Sequence, residues 1–131
     1  MDFHEDKPIY LQIAELLCEQ ILTGQWPPED KIPSVREMGV NLQVNPNTVL
    51  RTYDFLQQKD IIFNKRGIGY FVEKDAVKKI LDFRREDFYT NTLPNFFKTI
   101  SLLQISPEEV LQRYPEWRQK NSFPSESPSK A

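Results

Sequence analysis

Two helix-start signatures eleven residues apart, followed at once by a β pattern, constrain this chain more than anything else in it. Ser34-Val35-Arg36-Glu37 is a capping box, in which a serine caps the helix and a glutamate three residues on reaches back. Asn45-Pro46 repeats the signal in another form. The asparagine side chain can take up a free first-turn N–H, and proline at the first helical position loses nothing by lacking its own. Val35, Met38 and Leu42 give the first helix an apolar side, and Val49, Tyr53 and Leu56 give the second one. Gln43-Val44 is the short turn between them, so the pair reads as a helix-turn-helix. Gly39 inside the first helix costs about 1 kcal/mol of propensity against alanine, and a close approach of a neighbouring segment would explain it. The face of the second helix away from its apolar stripe shows Asn47, Thr48, Arg51 and Thr52. Hydrogen-bonding groups near a helix start, with a fixed cation one turn later, suit a helix entering a DNA major groove N-terminus first.

After Lys59-Asp60 the period changes. Ile61-Ile62-Phe63-Asn64 and Tyr70-Phe71-Val72 are β-branched and aromatic runs around Lys65-Arg66-Gly67-Ile68-Gly69, which predicts a hairpin with a basic tip. A basic hairpin behind a helix-turn-helix is a wing, suited to backbone or minor-groove contact. Gly67-Ile68-Gly69 lacks the strand-to-helix setting of a nucleotide loop.

Ahead of this, Pro8 opens a helix whose stripe is Ile9, Ile13, Leu16, Leu17 and Ile21, with Gly24 as its stop. Trp26-Pro27-Pro28-Glu29-Asp30 is a stiff connector, and Lys31-Ile32-Pro33 allows only a minimal strand. Behind the wing, residues 75–89 return to helical spacing through Val77, Ile80, Leu81, Arg84 and Phe88. Thr92 is expected to cap a further helix carrying Phe96, Phe97, Ile100 and Leu103. Ser106-Pro107-Glu108-Glu109 is a second capping box, starting a short helix that Pro115 should end. From Arg118 the composition predicts a disordered tail.

Bulk properties narrow the function classes. The chain has 131 residues, 39% hydrophobic and 27% charged, an ordinary globular balance. No apolar run nears the ~20 residues of a membrane span, and the acidic start lacks the features of a signal peptide. With Cys18 alone there is no internal disulfide, and a cytoplasmic setting is the default expectation. The net charge of −2 argues against nucleic acid only globally. Between residues 31 and 70, Lys31, Arg36, Arg51, Lys59, Lys65 and Arg66 face only Glu37, Asp54 and Asp60. One cysteine and one histidine (His4) form no nucleophile–base pair, so an enzyme is disfavoured, and no metal or cofactor is implied. The alternative is a winged helix that binds another protein rather than DNA. It would call for acidic or apolar residues where Asn47, Thr48 and Arg51 stand.

Four stretches, Pro8-Ile9-Tyr10-Leu11-Gln12-Ile13, Lys31-Ile32-Pro33-Ser34-Val35-Arg36-Glu37, Asn47-Thr48-Val49-Leu50-Arg51-Thr52-Tyr53 and Arg66-Gly67-Ile68-Gly69-Tyr70-Phe71-Val72, stand in the order and spacing of the GntR family of bacterial transcription regulators, which the chain resembles over residues 8–73. The short remainder looks like the YtrA-type branch, without the long ligand-binding domain of other branches. The resemblance implies a fold that is mainly α with a small β-hairpin wing: a winged helix-turn-helix DNA-binding domain (residues 1–73), a short helical dimerisation region (74–117) and the tail (118–131). It also implies a homodimer on a pseudo-palindromic DNA operator, usually as a repressor, with any small-molecule effector acting on the separation of the two heads. The DNA-binding residues it points to are Arg36 on the first helix of the motif, Asn47, Thr48 and Arg51 on the second, and Arg66 and Gly67 on the wing; Ser34 at the start of the first helix and Lys65 in the basic hairpin are candidates beside them. Asn45-Pro46 departs from the family's serine-arginine type of pair, and Gly39 from its alanine. The aromatic cluster Phe83, Phe88, Phe96 and Phe97, with Ile100, is large for a few short helices and is expected to form the dimer seam.

Overall fold

The computed structural model describes residues 7–121. The elements in order are α1 (Ile9–Leu22), α2 (Val35–Leu42), α3 (Pro46–Gln58), β1 (Ile62–Lys65), β2 (Gly69–Val72), α4 (Ala76–Asp87), a π-helical turn (Phe88–Thr92), α5 (Leu93–Leu102) and α6 (Pro107–Lys120). The chain divides into two compact units, one ending at Arg84 and the next starting at Arg85. The first thus takes in most of α4, beyond the expected division at residue 73.

In the first unit, α1, α2 and α3 surround a core to which the wing adds Ile62 and Val72. Ile13, Leu17 and Ile21 of α1 are buried as the spacing required, but Ile9 is 45% exposed because it lies in the first turn, ahead of the packed region. Cys18 is buried among these side chains, and desolvation pushes its thiol up to about 12. Gly24 (φ 86) ends the helix, with Gln25 N–H returning to the Gln20 carbonyl at 2.9 Å.

The caps predicted for α2 and α3 both form. Ser34 Oγ accepts from Glu37 N–H at 3.1 Å, and the Glu37 carboxylate accepts from Ser34 N–H at 3.1 Å. Those bonds hold the Glu37 carboxyl below its ordinary 4.5. The turn after α2 is made by Gln43 in the left-handed region (φ 56), with Val44 N–H bonded to the Gly39 carbonyl at 2.9 Å. A Cβ on Gly39 would fall 3.0 Å from the Val44 carbonyl oxygen and 3.5 Å from the Pro46 ring. The glycine is therefore matched to the start of α3, folded closely over it.

Val49, Tyr53 and Leu56 of α3 are fully buried. Thr52 is buried as well, not part of the outward face that the sequence suggested. Its Oγ1 lies 2.8 Å from the Tyr10 carbonyl oxygen of α1 and 3.2 Å from that of Thr48, so a hydroxyl that could have faced solvent instead joins two helices. The wing is a two-stranded antiparallel sheet with Ile62 opposite Val72 and Lys65 opposite Gly69, and Lys31 adds a single bridge to Phe71.

In the second unit two local expectations fail. Thr92 does not cap α5: its backbone is helical (φ −69, ψ −47) and the π-helical turn runs into α5 without a break. Pro115 does not end α6, which continues to Lys120. Proline removes one helix donor at a cost of about 3 kcal/mol. The Tyr114–Trp117 stack spans it, and Arg113–Glu109 (3.7 Å) and Lys120–Glu116 (3.1 Å) pairs flank it before and after. Ser106 caps α6 through Glu109 N–H at 3.2 Å. The tail expected from Arg118 thus opens on residues that are still helical in α6, and the rest of it, residues 122–131, like His4, lies outside the described residues.

Replacing Thr52 by valine keeps the shape and deletes the bond to Tyr10. Urea denaturation should show a loss of about 1 kcal/mol, and an unchanged midpoint would count against that bond. A second expectation concerns pH. Because the folded state lowers the Glu37 pKa, the stabilisation is present above 4.5 and is lost as pH falls through the lowered folded value. The stability difference between wild type and Glu37→Gln should therefore shrink from about pH 7 to about pH 3. A difference that stays constant would contradict the capping assignment.

Candidate nucleic-acid interface

The apolar stripe of α3 decides what α3 can show. With Val49, Thr52, Tyr53 and Leu56 turned inward, Asn47, Leu50, Arg51 and Asp54 are exposed and Thr48 is half-buried. The helix start is capped by Asn45, whose Oδ1 accepts from Asn47 N–H at 2.8 Å. Asn47 gives only its backbone to the cap, so its side-chain amide remains at the surface in the first turn. Arg51, one turn on, has its Cζ 4.0 Å from the centroid of the Tyr10 ring. Pro8, Ile9 and Tyr10 from α1 and its approach, with Asn47, Thr48 and Arg51 from α3, line an open cleft of about 380 Å³. Hydrogen-bond donors and acceptors and a guanidinium at the mouth of such a cleft are the chemistry that meets base edges or phosphate.

Ser34 and Arg36 sit at the start of α2. Ser34 is engaged in the capping box, which fixes the helix end. Arg36 is exposed in the first turn, and among the described residues it has no ion-pair partner. Its charge is therefore not used in an ion pair among the described residues.

At the wing, Lys65 is the last residue of β1 rather than part of the loop. Arg66-Gly67-Ile68 form the tip, closed by Ile68 N–H to the Lys65 carbonyl at 2.9 Å. Gly67 has φ 80, the left-handed value needed at the third residue of such a turn, and open space surrounds the position of a Cβ. Phe63 and Phe71 stack at 5.6 Å on one side of the hairpin, and the Lys65 ammonium lies 4.9 Å from the Phe71 centroid and 6.0 Å from that of Phe63. Lys65 is thus steered by an aromatic pair, and Arg66 is exposed at the turn.

The expected dimer residues divide. Phe83 belongs to the first unit and packs edge-on against Phe55 at 6.4 Å, half-buried against the core. Ile100 is buried. Phe88, Phe96 and Phe97 are exposed, and so are Leu102 and Leu103, which the spacing did not single out as a pair. Tyr10, which lines the cleft beneath Arg51, is a residue that sequence reasoning did not single out. Its contact with Arg51 spans two helices, and no periodicity within either one reports it. Among the described residues no cluster of His, Cys, Asp and Glu could hold a metal ion, and no helix is long and apolar enough to cross a membrane.

Residues 9–72, which contain α1 to β2, match the model of the bacterial regulatory proteins of the gntR family. The chain is 37% identical to the HTH-type transcriptional regulator YhcF of Bacillus subtilis over 110 residues, 84% of this chain and 89% of that one. It is also 37% identical over 82 residues to the HTH-type transcriptional repressor YtrA of the same organism, 63% of each chain. A GntR-family regulator from Bacteroides thetaiotaomicron of known structure is 44% identical, with a TM-score of 0.69 over 86% of this chain and 98% of that one. The helix-turn-helix with its basic wing is thus shared with regulators, not enzymes, along most of the chain, which belongs to the GntR family and is a DNA-binding transcriptional regulator.

Proposed function

We propose that the chain is a repressor that binds a pseudo-palindromic operator as a homodimer. The observation that carries the reading is the surface of α3: a capped, buried-backed helix that offers Asn47 and Arg51 outward beside Thr48. In this reading α3 lies in the major groove, where the Arg51 guanidinium bridges two acceptors on a guanine edge and Asn47 and Thr48 contact base or phosphate. Ser34 and Arg36 dock the start of α2 on the backbone. Lys65, Arg66 and Gly67 bring the wing to the flanking phosphates or minor groove. The 37% identity to a repressor, YtrA, supports the direction of regulation.

The homodimer is supported by the second unit. Phe88, Phe96 and Phe97 are exposed there with Leu102 and Leu103, more large apolar side chains than so small a unit leaves to solvent without a partner. A second copy supplies the matching surface, and a two-fold pair of heads meets a two-fold operator.

Binding is tested by gel shift against the DNA upstream of the coding region. Arg51→Ala should cost about 1–3 kcal/mol per half-site, while unchanged affinity would remove Arg51 from readout. Sedimentation at about micromolar concentration should give near twice the chain mass of 15.5 kDa, and Phe97→Glu should halve it. A wild-type monomer would end the dimer proposal.

A further inference from the structure

Arg51 is not oriented by its own helix alone. Its Cζ stands 4.0 Å over the centroid of Tyr10, the second residue of α1. Tyr10 is itself held at two points. Its carbonyl oxygen takes the Thr52 hydroxyl proton at 2.8 Å, and its ring meets Phe55 of α3 edge-on with centroids 6.3 Å apart. The residues next to Arg51 and one turn beyond it on α3 therefore fix the aromatic ring on which Arg51 rests.

We propose that Tyr10 is a positioning residue for DNA readout: its ring holds the Arg51 guanidinium at the mouth of the cleft in the orientation that meets the operator. This rests on the reading of Arg51 given above. A long arginine on a helix surface samples many rotamers, and freezing one on binding opposes association. A ring face removes much of that freedom beforehand through the cation–π contact. A guanidinium at this distance from a ring can engage it by its flat face, while hydrogen bonding to a base or phosphate uses the N–H groups around its edge. Stacking and readout therefore do not compete for the same part of the group. Pro8, Ile9, Asn47 and Thr48 line the same cleft as Tyr10 and Arg51. The chain thus reads DNA with a pair formed across two helices, not with α3 alone.

The competing account is that Tyr10 only packs α1 on α3. A double-mutant cycle separates the two. The probe is a duplex enriched from a random pool by the full-length wild-type chain. Dissociation constants are measured for wild type, Tyr10→Leu, Tyr10→Phe, Arg51→Ala and the Tyr10→Leu/Arg51→Ala pair, with urea midpoints recorded for each. Tyr10→Leu should weaken binding about 3- to 10-fold when Arg51 is present and less than about twofold when it is alanine. Tyr10→Phe keeps the ring face and should bind within about twofold of wild type. Tyr10→Met replaces the leucine variant if that one fails to fold. Equal losses in both backgrounds, or a phenylalanine variant as weak as the leucine one, would overturn the role given to Tyr10. A pool that yields no enriched duplex would bring down the DNA-reading role of Arg51 and this inference together, whereas enrichment without coupling removes only the inference.

Discussion

Tyr53 is the joint on which the DNA-binding unit depends. It is completely buried on α3, its hydroxyl donates to the Pro33 carbonyl at 2.7 Å just before α2, and its ring meets Tyr70 of β2 at 4.8 Å. One side chain thus joins the second helix of the motif to the entry of the first and to the wing. Burial pushes its phenol well above the usual tyrosine range, so it remains a neutral donor. Because Tyr53, Val49 and Leu56 occupy one side of α3, Arg51 has only the other side to occupy. The outward display of the reading surface is a consequence of inward packing.

The parts legible in the sequence are those whose causes are local. A capping serine with a glutamate three residues on, a capping asparagine with proline after it, and a glycine-containing tip between two β-branched runs each act within one turn of chain. The roles of Ser34, Asn45, Pro46 and Gly67 therefore follow from their immediate neighbours in the chain. The parts that escape have causes elsewhere. Thr52 looks like a surface threonine until the Tyr10 carbonyl, on another helix, is brought to it. Phe83 looks like one more ring of an exposed aromatic cluster until Phe55 is found beside it.

The errors at Thr92 and Pro115 have a different origin. Both come from reading a residue with strong terminal preferences as a terminus. Such preferences are biases worth at most a few kcal/mol, and neighbouring helical turns can outweigh them. At Thr92 the helical path continues through a π turn with more residues per turn; at Pro115 it continues despite one absent donor. Arg36, Asn47, Arg51 and Arg66 are identifiable as candidates from type and position alone. Nothing in that pattern reveals that one of them leans on an aromatic ring.

The burial of Cys18 has a practical corollary. Burial pushes its thiol up to about 12 and the core encloses the sulfur, so both the nucleophilic form and access to it are disfavoured. The native cysteine is therefore expected to react slowly with alkylating reagents while the fold is intact. A fluorophore or spin label attached through a new cysteine on the wing or on α5 would report from that place alone, with no need to remove the natural residue first.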